Sequence, residues 1–159
     1  MRTCRYGLTV IVSVLGLAMS VRAAPKAEIW PHWQQHNVQN PAQIDFTFWE
    51  SFLAKYVDAQ HPSGIHRLRY ASVSAEDRQA LQHYLAVLQT VPISTYNRQE
   101  QQAYWINLYN ALTVSVILAH YPVASIRDIH LSGLFSTGPW QAKLLTIEGE
   151  KVSLGYGQE

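Results

Sequence analysis

The stretch Ala103–Tyr121, AYWINLYNALTVSVILAHY, decides the fold. Apolar or aromatic residues fill nearly every position, so no polar stripe survives at the helical period, and the pattern predicts a helix buried on most of its surface. Asn97 is placed to cap it, with Glu100 three residues on, where a carboxylate favours the positive end of the helix dipole. Pro122 stops it. Asn107 and Asn110, at i and i+3, interrupt the apolar surface. A buried carboxamide without partners costs about 1–3 kcal/mol, so both side chains are expected to hold loop backbone or a ligand. About eighteen residues could nearly cross a bilayer. Two Asn, two Tyr and a Trp in the first half, with no basic cluster at either end, speak against a transmembrane span.

Outward towards the N-terminus, Arg2 and Arg5 precede an apolar run from Tyr6 to Val21, which ends in Val21-Arg22-Ala23. A basic start, an apolar centre and a small-residue end read as a secretory signal peptide, with an uncleaved anchor as the alternative. Cleavage is expected after Ala23, or else after Ala24, so the segments are signal peptide 1–23, linker 24–44 and domain 45–159. The expected location is the periplasm or the extracellular space. Cys4, the sole cysteine, leaves with the signal, so the mature chain has no disulfide, thiolate ligand or cysteine nucleophile. Three arginines leave too, taking the formal charge from +1 to −2. That balance gives no electrostatic basis for binding nucleic acid. Charged residues make up only 14% of the chain, which favours contact with another protein, for instance in the cell envelope.

Residues 24–44 hold three prolines and much Gln and Asn. Pro31 could open a turn that puts His32 and His36 at i and i+4, a weak candidate metal pair with no third ligand in view. No cofactor is expected. Asp45 then caps a helix, FTFWESFLAKYVDA, with Phe48, Phe52 or Leu53, and Tyr56 facing inward. His61-Pro62-Ser63-Gly64 makes a turn, and Ile65–Tyr70 is a short strand or extended connector. Ser74 with Asp77 resembles a capping box, opening a helix with Leu81, Leu85 and Leu88 as its stripe.

After the long helix come a helical turn around Ser125–Ile129 and a Gly-rich loop, LSGLFSTGPW. The loop lacks a phosphate-cradle ending, and Ser136 is not in a nucleophile elbow. KLLTI, Glu148-Gly149 and EKVSL then form a two-residue hairpin. Helices followed by a hairpin give an α+β fold, built around one long central helix.

The run EQQAYWINLYNALTVSVILAHYP, the later Ile126-Arg127-Asp128-Ile129, and Trp140 followed by a hairpin ending Val152-Ser153-Leu154 resemble the domain-of-unknown-function 547 family. The similarity extends from about Ile44 to Leu154. It implies an exported protein with no assigned activity. Similar members continue past the Ser-Leu with an Ile-Glu-His helix and then His- and Cys-bearing elements. This sequence ends instead in Gly155-Tyr156-Gly157-Gln158-Glu159, as a domain truncated after the hairpin would. A hairpin alone is marginal, so Leu144, Ile147, Val152 and Leu154 are expected to lie partly uncovered and to invite self-association. The function expected is that of a binding or structural module. The alternative is a fragment of a hydrolase or peptidase-like enzyme, with Glu100, Asn107, Tyr109, Asn110, His130 and Trp140 as the candidate pocket.

Overall fold

The computed structural model describes residues 31–131 and 138–155. The segment expected to be a signal peptide, with its expected cleavage site, most of the Gly-rich loop with Ser136, and the last four residues lie outside them.

The architecture is α+β, as the sequence predicts. Its elements are α1 (Thr47–Tyr56), β1 (Val57–Asp58), β2 (Arg67–Leu68), α2 (Ala75–Gln89), α3 (Arg98–His120), β3 (Lys143–Ile147) and β4 (Glu150–Ser153). β1 and β2 form a two-rung antiparallel ladder, Val57 opposite Leu68 and Asp58 opposite Arg67. α1 thus stops at Tyr56, earlier than its apolar pattern suggests, because Val57 and Asp58 bond to the connector that follows the Gly64 turn. Gly64 takes φ +71°, a conformation open to glycine at little cost.

Two of the three start signals hold. Asp45 is not the cap of α1: the cap position is Phe46, which makes no side-chain cap bond, and Asp45, one residue before it, accepts the Thr47 N–H at Oδ1, 2.9 Å. Ser74 Oγ accepts Asp77 N–H at 3.1 Å and caps α2 as expected. Asn97 Oδ1 accepts the N–H groups of both Gln99 and Glu100 at 3.0 Å, capping α3.

α2 rather than α3 is the element that α1, α3 and β3 all pack against. Leu81, Leu85 and Leu88 line its inner face, meeting Trp49, Phe52 and Tyr56 of α1 and Tyr104, Leu108 and Ala111 of α3 in one core. α3 is therefore buried on one side through its first half and wrapped only further on, where Val114, Ser115 and Val116 are all buried. A transmembrane reading of it does not apply: among the described residues no helix is long and apolar enough to cross a membrane.

The hairpin overturns one expectation. Glu148 and Gly149 both take positive φ, 48° and 87°, as a two-residue turn matching the strand twist demands. Yet Leu145, Ile147, Val152 and Leu154 are all buried, and only Leu144 stays half-exposed. The cover is α2. Gln89 Oε1 accepts Thr146 N–H at 3.0 Å, and Glu148 Oε1 accepts both the N–H (3.2 Å) and the hydroxyl (2.7 Å) of Ser94. Self-association through an uncovered hairpin face loses its physical basis.

Candidate functional site

Four polar residues at the start of α3, Asn97, Arg98, Glu100 and Gln101, hold other segments in place. Residues 31–44 lie across this end of the helix. Arg98 donates to Trp33 O at 3.1 Å and Gln34 O at 2.6 Å. Gln101, only 5% exposed, donates to Gln35 O at 2.7 Å and Ile93 O at 2.9 Å. Asn97 Nδ2 reaches Asn40 O at 3.0 Å. Glu100 Oε2 accepts the Ile44 N–H at 3.1 Å, so the candidate acid or base is half-buried and already engaged by backbone. Trp33 meets Trp105 edge to face, ring centroids 4.9 Å apart. This strapping had a faint sequence signal, the polar run Arg98-Gln99-Glu100-Gln101 before an apolar helix, and only the fold says what each polar group reaches.

One turn further the character changes. Asn110 is exposed and Asn107 half-buried, and neither makes a hydrogen bond among the described residues. Among the described residues no loop backbone holds them and no element packs on this side of α3. Exposed carboxamides keep their hydrogen bonds to solvent, so the cost that made them conspicuous in sequence disappears. Beside them Ile106 is 54% and Tyr109 39% exposed. At the helical period Tyr109 lies well round the helix from Asn107, with Ile106 and Asn110 between. No charged residue occurs between Glu100 and Arg127. The result is a bare, uncharged strip of aliphatic, aromatic and carboxamide groups.

The other candidates are elsewhere. His130 is an exposed residue after the Ile126–Asp128 turn. Trp140 is half-buried, and its carbonyl accepts Gly155 N–H, fastening the end of β4 to the start of the hairpin segment. A Cβ on Gly155 would approach that carbonyl oxygen to 2.8 Å. His36 is exposed with Nδ1 3.1 Å from Gln34 O, and among the described residues no group of three His, Cys, Asp or Glu side chains could hold a metal ion.

A second polar cluster, absent from the sequence reading, joins α1 to α2. Tyr56, buried, donates its hydroxyl to Asp77 Oδ2 and accepts the Ser74 N–H at 3.3 Å. Lys55 Nζ sits 2.6 Å from the same carboxylate oxygen. The Lys55 and then the Tyr56 hydrogen bonds hold the Asp77 carboxyl below the usual carboxylate range, and the Asp77 bond raises Lys55. Tyr56 is closed to any substrate, so the cluster works as a clasp. Tyr84, its hydroxyl buried without a partner among the described residues, is pushed up to about 12, first by burial and then by the Asp45 and Glu50 carboxylates.

Residues 93–156 match the family model described as protein of unknown function, DUF547. The match begins at Ile93, so the part of the resemblance upstream of it, from Ile44, is not included. It is consistent with assignment of the chain to that family. No curated protein and no solved structure matches the chain.

Proposed function

We propose, with the DUF547 match over residues 93–156 as premise, that this is an exported cell-envelope protein acting as a binding module, and that the bare strip of α3 is its docking surface. The observation that carries the reading is the contrast on one helix. Asn97, Arg98, Glu100 and Gln101 are each engaged by backbone, while among the described residues Asn107 and Asn110 have no side-chain partner and lie beside exposed Ile106 and Tyr109. Such a strip supplies an aromatic anchor, apolar area and donor–acceptor pairs without a charge to desolvate, which is the chemistry of a protein interface core. The partner it suits is another envelope protein offering an uncharged surface with amide or hydroxyl groups. Export rests on the arginine-flanked apolar start and its Val-Arg-Ala end.

The hydrolase reading would need Glu100 and the asparagines to converge on substrate. Glu100 is occupied by the Ile44 amide, which favours its part in the fold over one in chemistry.

Site-specific photocrosslinking in intact cells tests the proposal. A photoreactive residue at Tyr109 should give a discrete adduct, lost on Asn110→Lys, whereas the same residue at exposed Val87 on α2 should give none. The crosslinked protein should have the mass of a chain starting after Ala23 or Ala24. Retention of the full-length chain inside the cell, or equal adducts from both positions, overturns the reading.

A further inference from the structure

We propose that the cleft between α2 and α3 near the end of α3, lined by Arg78, Gln79, Gln82, Ser115, Leu118 and Ala119, is a carboxylate-binding site. Its volume is about 300 Å³, at the small end of ligand pockets.

Arg78 is half-buried and has no carboxylate partner among the described residues. Of its five N–H groups, Nε donates to Val73 O at 3.3 Å and Nη1 to Leu118 O at 2.9 Å, leaving three without a protein acceptor among the described residues. Ser115 is the second observation. It is 6% exposed, and its Oγ accepts the Gln82 amide at 2.6 Å while its own hydroxyl hydrogen has no acceptor among the described residues. A buried O–H and a partly desolvated guanidinium thus share a cleft that contains no Asp or Glu. Gln79 and the second Gln82 amide N–H, both on exposed side chains, add donors at the rim.

The cleft therefore has donors in excess, and a ligand completing it must supply acceptors and negative charge. A carboxylate does both, and a planar guanidinium matches its two oxygens as an ammonium cannot. The carbonyl end of α3 opposes this with roughly half a negative charge. Arg78 covers one of those carbonyls, and its full positive charge exceeds the remainder. By helical period Ser115 is well round α3 from Asn110, so the site is separate from the bare strip and does not depend on its role.

The experiment follows the side-chain amide resonances of Gln79 and Gln82 by NMR in the purified exported chain during titration with succinate and with uncharged succinamide. A saturable shift with succinate alone is expected. Ser115→Ala should weaken binding roughly tenfold by removing one hydrogen bond to a charged group. Arg78→Lys, which keeps the charge and loses the fork, should weaken it too, with α3 helicity by circular dichroism confirming the fold. Trialanine and its C-terminal amide distinguish the source of the carboxylate. Binding of the free acid but not the amide extends the site to peptide C-termini, and binding of succinate without either peptide restricts it to small acids. Equal shifts with succinamide, no shift up to tens of millimolar succinate and trialanine, or succinate affinity unchanged in Ser115→Ala overturns the proposal.

Discussion

The first turn of α3 and the turns around Tyr109 carry similar polar side chains on one helix, and they do opposite work. Asn97, Arg98, Glu100 and Gln101 each close a gap in someone else's backbone: two helix N–H groups, the carbonyls of Trp33, Gln34 and Gln35, and the amide of Ile44. Among the described residues Asn107 and Asn110 close none. The difference teaches that a carboxamide on an apolar helix is a structural pin only where another chain segment arrives to be pinned. Where none arrives, it is surface available to a partner.

Substitutions along α3 put that contrast to the test, with urea unfolding as the common measurement. Tyr104→Ala should be the most damaging. Its ring is fully buried and its hydroxyl donates to Leu88 O at 2.9 Å, so a cost of about 3–5 kcal/mol is expected. Gln101→Leu keeps the volume but strands the carbonyls of Gln35 and Ile93, and should cost about 1–3 kcal/mol. Asn97→Ala removes the cap of α3 and should cost about 1 kcal/mol.

A smaller effect is expected at the clasp, because Lys55 and Asp77 are partly open to water. The Asp77 carboxyl titrates below its ordinary 3.8, so its contribution is complete above that pH. As pH falls the unfolded chain binds the proton first, and the contribution is lost through the lowered folded value. Asp77→Asn should therefore flatten the acid side of the stability profile and leave the slope between pH 5 and about 8 unchanged, as followed by urea midpoints. The smallest change belongs to Asn110→Ala, expected within about 0.5 kcal/mol of the parent. A loss as large as that of Gln101→Leu would erase the distinction between the two regions and remove the support for a docking strip.

Much of the scaffold is legible without coordinates. Asn97 and Ser74 read as caps because their short oxygen-bearing side chains suit the free N–H groups of a helix start, and Glu148-Gly149 reads as a hairpin turn because both residues must take positive φ. The two-rung β1–β2 ladder is not legible, since Val57 and Asp58 continue an apolar helical pattern and leave it only because Leu68 and Arg67 return beside them. Nor is the covered hairpin: one face of alternating residues needs a partner, and a strand pattern does not name it. Of the candidate pocket, Glu100 lies among backbone contacts, Trp140 in the hairpin and His130 beyond a separate turn, while the Arg78–Ser115 cleft had no signal at all.

The sequence by itself determined which segments are helices, where they start, and that a hairpin follows them. Those are outcomes of local backbone chemistry and of period, complete within a few residues. Only the tertiary structure decided which side of α3 is covered, which of its polar groups are engaged, and that Arg78 and Ser115 line one cleft. Each of these depends on which distant segment packs beside which, and apolar burial, being non-directional, marks a face as sticky without saying what will meet it.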